Sequence, residues 1–477
     1  MKAKFSEYLT SIAPGLKELI AELGKSYDYV SVLATDSVGF SISASQRVKN
    51  ISGRTRMVER GNVVRVYKDG LYSEYSFNLF DVDNAAKEAA KIKEILDKQL
   101  AVLKATNTKV YDTDKLSDES EQLFVEMDTT DLPEDTDLDA LMTRFKGLSD
   151  KGKALSDEVV DCTISGDSTH ICKMFLTANR DLRQSYVVSV GSVLMLAARD
   201  GKTEYAHESL SDREGPAIFD GLEGLLEQGL KDVQANLGAE HVVPGEYEVI
   251  TTPEVTGLIA HEAFGHGVEM DMFVKKRALG QEYIGKRVGS DLVTMHEGAK
   301  VCKDASSYAF DDEGTLAGDV IEIDKGILKT GVCDALAALR LGTVPTGNGK
   351  RENFEHKAYT RMTNTMFDSG NSTKEEMIAS IKKGYLLSGF FSGMEDPKHW
   401  GIQCLIARGY EIIDGKLTGK VVAPVVLTGY VPDLLNSISM ASTDYVSFGG
   451  GMCGKGHKEW VKTVDGGPYL KCVARLG

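Results

Sequence analysis

The chain has 477 residues, of which 42% are hydrophobic and 26% are charged, and its formal net charge is -16. This composition is typical of a water-soluble globular protein that is long enough for two domains. The excess of acidic residues argues against nucleic acid as the main partner, because phosphate groups are bound by clustered lysines and arginines.

No stretch of the sequence has the length and apolar character expected of a membrane segment. The N-terminus lacks the uninterrupted apolar run of a signal peptide, and the most apolar later stretch, residues 187–198, is about half as long as a transmembrane helix. The seven cysteines are odd in number and have no C-x-x-C spacing, which is typical of reduced thiols. We therefore expect a cytoplasmic protein without a membrane partner.

The first hundred residues predict two helices and a hairpin. Residues 5–23 are amphipathic and predict a helix, and residues 29–44 alternate in the manner of a strand. Asp69-Gly70 separates two runs, VVRVYK and LYSEYSF, and this predicts a β-hairpin with a type I′ turn. Asp83 is expected to cap a helix over residues 85–103, which are rich in Ala, Lys, Glu and Leu.

The next part of the chain predicts a linker followed by more strands. Residues 112–139 are acidic and are interpreted as an exposed linker to a helix over residues 141–155. Strands are predicted over residues 159–198, and Asp200-Gly201 predicts another hairpin turn. A helix with an apolar stripe follows and ends near Gly238.

The turn pair Pro244-Gly245 marks an expected domain boundary. We predict an α+β fold with two domains, residues 1–240 and residues 241–477, built from helices and largely antiparallel sheets. The first domain shows no constellation of residues suited to chemistry, so we expect it to form a chamber wall or a subunit contact.

The strongest functional pattern is TPEVTGLIAHEAFGHGVEMDMFV, residues 252–274, in the C-terminal domain. It holds His261, Glu262 and His266. Two imidazoles can bind a divalent metal, and a carboxylate next to one of them can take a proton from water at that metal. The pattern therefore favours a metal-dependent hydrolase.

The two histidines are five residues apart, not four as in H-E-x-x-H. On a regular α-helix five residues turn through roughly 500°, which leaves the second imidazole ~140° away from the first. Thr252 suits the N-cap of this helix, and Pro253 suits its first position. The helix must then either contain a π-type turn or loosen at Gly265, so that both imidazoles can reach one ion.

Three turn regions follow in the second half. Asp311, Asp312 and Glu313 form either an acidic surface turn or a part of the molecule that is critical for the fold. A hairpin is predicted around residues 324–326. Residues 345–352, PTGNGKRE, form either a plain glycine turn or a loop that lends backbone groups to an extended peptide.

The last elements predicted are a capped helix and three strands. Ser372 and Glu375 fit a capping box for a helix that runs through Ile381 and Lys382. Strands are predicted at residues 402–408, 410–413 and 421–427.

The segment GGGMCGKGH, residues 449–457, offers a third ligand for the metal. A cysteine among glycines has little side-chain packing to lose, which favours a ligand over a core residue. Cys453 is one candidate, and His457 is the rival in the same loop.

The run HEAFGHGVEMD resembles the signature of the TldD/PmbA family of metallopeptidases, also called modulators of DNA gyrase, in its active TldD-type branch. The likeness continues in the family's order through nearly the whole C-terminal half. It covers SSYAFDDEGT (306–315), PTGNGKRENFEH (345–356), RMTNT (361–365), ISM (438–440) and GMCGKGH (451–457). The intact HExxxH motif separates this chain from family members that lack it and pair with the active type.

The resemblance implies one Zn²⁺ per chain, held by His261, His266 and Cys453, with Glu262 as the general base of a peptidase. His457 falls outside this ligand set and is then a surface or substrate contact. The resemblance also implies a dimer, either a homodimer or a heterodimer with a related chain, which encloses a chamber for unfolded or short peptides.

Five residues of the matched loops are predicted to bind substrate: Thr346, Gly347, Asn348, Asn364 and His457. The sequence departs from the family pattern at SGFFSGMEDPKHW (388–400), where many relatives have a glycine run, and at DGGPYL (465–470), where they have a GQ. The first departure falls in a region predicted to touch substrate. The preference for particular side chains of the substrate is therefore the property that can least be transferred from relatives.

Two other functions fit the same residues. The chain could be a peptide-binding or regulatory subunit with a structural metal, in which case a Glu262→Gln variant would hydrolyse peptides at the parent rate. It could also be a metal-dependent hydrolase of a non-peptide amide or ester. A panel of unstructured peptides and small esters, with and without a chelator, separates that activity from peptidase action.

Overall fold

An eight-stranded sheet organises the first half of the protein, in a computed structural model that describes residues 1–106, 113–456 and 459–477. Its strands are β1 (Tyr29–Ala44), β2 (Lys49–Ser52), β3 (Arg60–Lys68), β4 (Leu71–Phe77), β5 (Glu121–Glu126), β6 (Val159–Leu176), β7 (Arg180–Arg199) and β8 (Lys202–Asp212). They lie in the order β4-β3-β1-β6-β7-β5, with β2 beside β1 and β8 beside β7. β5 is parallel to β7, whereas the other pairs are antiparallel.

Helices cover one face of this sheet: α1 (Glu7–Gly24), α2 (Ala85–Ala105), α3 (Leu138–Ala154) and α4 (Leu226–Leu237). Side chains alternate between the faces of a strand, and six even-numbered residues of β1 belong to clusters that include helix residues: Val30, Val32, Ala34, Phe40, Ile42 and Ala44. α1 and α2 pack at one end of the sheet, and α3 and α4 pack at the other. The Ser6 hydroxyl caps α1 by accepting a 3.1 Å hydrogen bond from the Leu9 N–H.

The opposite face of the sheet packs against the second half of the chain. Leu33 and Phe175 form a small buried cluster with Phe310, and Ile171 belongs to another that includes Met366. The first half therefore forms a wall against the second, with its own helices on the outside.

The predicted hairpin turns of this half are confirmed. Asp69 and Gly70 join β3 to β4 with φ angles of 52° and 83°, and Asp200 and Gly201 join β7 to β8 with φ angles of 50° and 80°. Positive φ at both central residues defines the type I′ turn, whose twist matches that of the flanking strands.

Two predictions for the first half are wrong. Asp83 lies in a short 3₁₀ helix (Val82–Asn84), and Asn84 occupies the N-cap of α2 without a side-chain hydrogen bond. The acidic stretch 112–139 is not only a linker, because it contains β5 at the edge of the sheet. The charged residues of β5 conceal its strand pattern in the sequence. Residue 112, the first of the acidic stretch, lies outside the described residues.

The second half contains two further sheets and two short hairpins. Its strands are β9 (Gly245–Thr251), β10 (Met295–Glu297), β11 (Val320–Asp324), β12 (Ile327–Leu328), β13 (Gly349–Lys350), β14 (Tyr359–Thr360), β15 (Asn364–Phe367), β16 (Lys383–Asp396), β17 (Gly401–Ile413), β18 (Lys416–Val422), β19 (Val425–Tyr430), β20 (Met440–Ala441), β21 (Val446–Phe448), β22 (Met452–Lys455), β23 (Glu459–Lys462), β24 (Val464–Gly467) and β25 (Leu470–Leu476). Its helices are α5 (Pro253–Ile259), α6 (Asp271–Val274), α7 (Ala335–Leu341), α8 (Lys374–Ala379) and α9 (Val431–Asn436).

The larger of these sheets closes into a ring, because β16 pairs with both β9 and β17 in the order β16-β9-β25-β19-β17. The other sheet has the order β12-β11-β10-β15-β24-β21, and β13 with β14 and β22 with β23 form the hairpins. α5 packs against β16 of the ring and β24 of the other sheet. With β9–β16 and β15–β24 parallel and most other pairs antiparallel, the predicted α+β fold class is confirmed.

Several local predictions for the second half need correction. The capping box of α8 is formed by Thr373 and Glu376, one residue later than predicted, and the helix ends at Ala379. Residues 402–413 belong to one strand, β17, whereas residues 421–427 are divided between β18 and β19 at Pro424, which has no N–H for a sheet hydrogen bond. The hairpin at residues 324–326 is confirmed by β11 and β12.

Asp311, Asp312 and Glu313 are buried, with exposed fractions of 2%, 5% and 6%. Asp311 accepts hydrogen bonds from the N–H groups of Glu313, Thr315 and Gly349. These residues therefore support the fold and do not form an acidic surface turn.

The strands up to Asp212 form one sheet, and those from Gly245 onward form the others. A domain boundary at residues 240/241 stays a prediction. Within the described ranges, no helix combines the length and the apolar character needed to cross a lipid bilayer.

Candidate metal centre

The helix that carries His261 and His266 changes its winding between them. α5 is regular, but Ala260–Gly265 is a π-helix, and a 3₁₀ turn over His266–Val268 follows. The His266 N–H donates to the carbonyl of His261, five residues earlier, which is the hydrogen bond of a π turn. The predicted π turn is thus confirmed, and it places the two imidazole rings 5.1 Å apart between centroids.

The start of α5 agrees with the sequence, and its packing brings a carboxylate to His261. Thr252 is at the N-cap and Pro253 is the first residue, although the Thr252 side chain makes no capping hydrogen bond. Gly257 lets the helix approach β24, since a Cβ there would lie 2.5 Å from the Gly466 nitrogen. Asp465, the preceding residue of β24, consequently reaches His261.

Cys453 lies in the β22–β23 hairpin and is buried beside the histidines. Its Sγ is 3.3 Å from Nε2 of His266, and the three potential ligand atoms of His261, His266 and Cys453 lie within 4.8 Å of one another. Three nitrogen and sulfur donors at this separation match the set that binds a catalytic zinc ion with one position left open.

Each histidine is oriented by a carboxylate on its other ring nitrogen. Nδ1 of His261 is 2.7 Å from Oδ1 of Asp465, and Nδ1 of His266 is 3.0 Å from Oε2 of Glu269. A carboxylate can only accept, so each Nδ1–H donates, and in the neutral ring Nε2 is then the nitrogen that offers a lone pair to a metal. Metal-binding histidines usually have such partners.

Two buried cations fix the cysteine hairpin. Arg361 is 1% exposed, and its guanidinium donates to the carbonyls of Cys453 and Glu459 at 2.6 Å and 2.8 Å. The Lys455 ammonium lies 3.0 Å from Glu269 and 2.7 Å from Asp271. The hairpin is therefore held by the same carboxylate that orients His266.

The glycines before Cys453 serve close packing. A Cβ at Gly449 would overlap the Ser211 hydroxyl, and one at Gly450 would lie 2.5 Å from the Ser209 hydroxyl. Both serines belong to β8, so the glycine run lets the loop approach the wall formed by the first half of the chain.

Charge interactions prepare the thiol for metal binding. Burial alone would raise the pKa of Cys453, but His266 and His261 outweigh it and hold that pKa well below its usual range. Burial would lower the pKa of His266, whereas Cys453 and Glu269 raise it to about 10. The cluster therefore favours the thiolate, which is the form of cysteine that binds metals.

Glu262 lines the same cavity as the three donor groups, a space of about 840 Å³. Burial raises the pKa of its carboxyl, and the two histidines oppose this shift. Gly393 of β16 lies against it, since a Cβ at this position would overlap the Glu262 side chain. The cavity walls come from β8 of the first half and from β16 and β22 of the second.

The structure does not bring the predicted substrate-binding residues to this cavity. Within the part of the chain that the structure describes, Thr346, Gly347, Asn348 and Asn364 are absent from its lining. Asn348 and Asn364 are fully buried, where Asn348 donates to Glu297 and Asn364 donates to the Gly298 carbonyl. Their role is to hold loops together; His457 lies outside the described residues.

Sequence reasoning missed several residues of the cavity. Asp465 falls in DGGPYL, and Glu395 falls in SGFFSGMEDPKHW, the two segments that depart from the family pattern. Those departures were a usable signal. Glu254, also on the wall, is marked in the sequence only by its place in the first turn of α5, and Arg361 only as the first residue of the matched run RMTNT.

The fold and the site define the class of the protein: an α+β chain with two histidines and a cysteine positioned for one metal ion, and a carboxylate in the same cavity. Residues 244–469 match the PmbA/TldA metallopeptidase C-terminal domain. A metalloprotease of Methanocaldococcus jannaschii is 30% identical over 59% of the chain and 61% of its own length. A zinc metalloprotease TldD homolog of Saccharolobus solfataricus is 30% identical over 59% of the chain and 62% of its own length.

The whole fold is shared with a solved structure. A Bacteroides thetaiotaomicron protein described as a modulator of DNA gyrase superposes with a TM-score of 0.76 at 17% identity, over 99% of both chains. The two metalloprotease relatives are matched over about three fifths of their length. The chain is therefore similar to the PmbA/TldD family through its C-terminal part, residues 244–469, and shares its fold with the Bacteroides protein.

Proposed function

We propose that the protein is a zinc-dependent peptidase that hydrolyses unfolded or short peptides. The observation that carries this proposal is the convergence of His261, His266 and Cys453, with donor atoms within 4.8 Å of one another, on a cavity that Glu262 also lines. The names of the metalloprotease relatives support the reaction class, and one of those names includes zinc.

His261, His266 and Cys453 would hold one zinc ion per chain. Bound zinc would supply a Lewis acid that polarises a peptide carbonyl and makes water more acidic. Asp465 and Glu269 would keep the two imidazoles in the tautomer that offers Nε2, and Arg361 would keep the backbone of Cys453 in place.

Glu262 would be the general base. Its position on the cavity wall beside His261 lets its carboxylate take the proton of the attacking water, and the protonated carboxyl would then donate that proton to the leaving amine. A buried environment, which raises the pKa of Glu262, favours a group that must hold the proton between the two steps.

The dimensions of the cavity support peptide substrates. Its volume of about 840 Å³ is in the range of sites that bind small molecules and short chain segments. Walls from both halves of the chain leave room for an extended peptide and exclude a folded domain. Unfolded or short peptides are therefore the proposed substrates.

Metal analysis tests the ligand set. Purified protein loaded with zinc and then dialysed should contain about one zinc per chain by mass spectrometry, and a Cys453→Ala variant should lose it. Cys472→Ala is the matched control, because Cys472 is equally buried but lies on β25, away from the histidines. Retention of zinc by Cys453→Ala would contradict the proposal.

Two alternatives remain, a metal-dependent hydrolase of a non-peptide amide or ester and a regulatory subunit with a structural metal. The zinc-loaded protein should hydrolyse unstructured peptides faster than small esters, and a chelator should abolish the activity. Hydrolysis of esters alone would favour the first alternative. Tight zinc binding without hydrolysis of either would favour the second.

We also propose a dimer, with a second copy or a related chain, and action in the cytoplasm. All seven cysteines are free thiols in the structure, which supports a reducing compartment. Native mass spectrometry of the purified protein, alone and with a candidate partner chain, tests the dimer.

A further inference from the structure

Glu395, near the end of β16, has a buried carboxyl group without a hydrogen-bond partner among the described residues. Both of its oxygens are shielded from solvent and lack a hydrogen-bond partner among the residues that the structure describes. The carboxyl lies against the turn that carries His266, since a Cβ at Gly267 would be 2.6 Å from its Oε1. Buried polar groups are almost always hydrogen-bonded, so this exception requires an explanation.

The location of Glu395 points to a ligand. Glu395 lines the cavity that holds His261, Glu262 and His266. Glu322 of β11 also has two unpartnered oxygens, but it does not line this cavity. Of these two described residues, Glu395 is therefore the one that borders a space that a molecule can enter.

The direction of β16 places Glu395 next to the reaction centre. Gly393 of this strand lies against Glu262, and Glu395 is two residues further on, so it faces the same side of the strand, roughly 7 Å along. A group bound by Glu395 would then be close to the bond that Glu262 acts on.

Three cationic side chains of the cavity wall already have carboxylate partners, whereas the exposed Arg277 has none among the described residues. Lys275 is paired with Asp271 at 3.0 Å. Lys455 is paired with Glu269 and Asp271, and Arg408 is paired with Asp232 at 2.9 Å. Glu254, on the wall before Glu262, adds another carboxyl, whose pKa burial raises to about 7. The wall thus carries more acidic groups than its own cations neutralise.

We propose that Glu395 determines specificity by binding a positively charged group of the peptide next to the scissile bond. This inference rests on the proposed peptidase function. The group is an ammonium or a guanidinium, supplied either by the N-terminus of a peptide or by a lysine or arginine side chain. Such a group would give the buried carboxylate a charge-assisted hydrogen bond, which is among the stronger polar interactions in proteins.

Matched peptides test the preference in the unmodified, zinc-loaded protein. Each pair of fluorogenic peptides differs at one position, with lysine in one and norleucine in the other, and each is made with a free and an acetylated N-terminus. We expect kcat/KM to be about 10- to 100-fold higher for the cationic member of a pair. Preference that depends on the free N-terminus identifies the α-ammonium, and preference that depends on lysine identifies the side chain.

A Glu395→Gln variant tests the assigned residue, because it keeps the shape and removes the charge. The cationic preference should fall to within about threefold, because kcat/KM falls much further for the cationic peptide than for the neutral one. Asp396→Asn is the matched control, since Asp396 is an exposed neighbour paired with His399 and lies outside the cavity lining. It should keep the full preference.

Two results would overturn the assignment: a parent protein that does not distinguish the paired peptides, or a Glu395→Gln variant that keeps the preference. An equal loss for both members would make Glu395 a structural residue and would also overturn it. Binding of labelled peptides to a Glu262→Gln background, followed by fluorescence anisotropy, tests the same preference without hydrolysis. If the parent hydrolyses no peptide yet binds cationic ones more tightly, the peptidase proposal fails and the role of Glu395 stands.

Discussion

Two clusters of buried charge differ in how completely they are paired. The first, which we name the inter-half cluster, consists of Arg65, Glu74, Glu313 and Arg351. Arg65 lies 2.6 Å from both glutamates, and Arg351 lies 2.6 Å from Glu74. In the second, the cavity that Glu262 and Glu395 line, the carboxyl of Glu395 has no partner among the described residues.

The two clusters bury charged side chains for different purposes. In the inter-half cluster each charge is neutralised by the fold itself, because strands β3 and β4 bring their residues against a loop of the second half. Burial opposes the charge on Arg65, but Glu313 and Glu74 outweigh it and raise the pKa of the guanidinium. In the cavity, part of the pairing is left for a bound molecule. Ion pairing within the fold thus accompanies a structural role, whereas an unpartnered carboxyl that borders a cavity, as Glu395 does, indicates a binding site.

The largest effect that tests this comparison is expected from Glu262→Gln. The amide cannot take a proton from water, so the rate of peptide hydrolysis should fall by about 10²- to 10⁴-fold, the usual contribution of a general base. Zinc content and the free energy of unfolding should stay at parent values. Steady-state kinetics with an unstructured peptide provide the measurement.

Glu282→Gln is the control for this variant, because Glu282 is an exposed glutamate outside the cavity lining. It should hydrolyse the peptide at the parent rate. If Glu262→Gln hydrolysed the peptide as fast as the parent protein, Glu262 would not be the general base. The comparison would then no longer separate structural carboxyls from catalytic ones.

Arg65→Met should have the next largest effect, on stability and not on chemistry. Removal of the guanidinium leaves Glu313, with a side chain 1% exposed, and Glu74 short of their partner. Breaking a buried pair in this way costs roughly 3–5 kcal/mol in the free energy of unfolding. Urea denaturation followed by circular dichroism measures the loss.

The matched control is Lys98→Met, which removes a cation from an exposed pair with Glu94, where the side chains are 73% and 71% exposed. The free energy of unfolding should not change measurably, because water solvates both groups. A loss as large as that of Arg65→Met would mean that burial does not determine the value of an ion pair in this fold.

Local patterns in the sequence were sufficient for the turns and for the metal-binding helix. Asp69-Gly70 and Asp200-Gly201 predict type I′ turns because few other residue pairs tolerate two positive φ angles. The five-residue spacing of His261 and His266 predicts either a π turn or a helix that loosens at Gly265, because a regular helix would separate the imidazoles. Both inferences need only the geometry of a few consecutive residues.

Long-range pairing could not be predicted in the same way. β5 looks like an acidic linker, because its strand character comes from its parallel pairing with β7. Asn348, in a glycine-rich loop, and Asn364, in the run RMTNT, are predicted to bind substrate, yet they hydrogen-bond to Glu297 and Gly298 from a distant part of the chain. Asp465 is 204 residues from His261, and only the close approach of α5 to β24 brings them together.

The smallest expected effect on the free energy of unfolding comes from His296, whose two ion pairs are formed but partly exposed. Nδ1 of His296 is 2.7 Å from Asp319, and Nε2 is 3.4 Å from Asp368, with both carboxylates about half exposed. The hydrogen bond to Asp368 and the attraction of Asp319 outweigh burial and raise the pKa of His296 to about 9. Stabilisation by this histidine is therefore complete below its unfolded pKa of about 6.5 and is lost as the pH rises through 9.

His296→Gln should accordingly lower the free energy of unfolding by about 1 kcal/mol at pH 6, after allowance for screening by solvent, and by almost nothing at pH 10. Urea denaturation of both proteins at the two pH values measures this difference. An equal loss at both pH values would assign the contribution of His296 to packing, since only an ionic contribution disappears with the proton. A loss at pH 6 as large as that of Arg65→Met would show that a partly exposed ion pair stabilises this fold as much as a buried one.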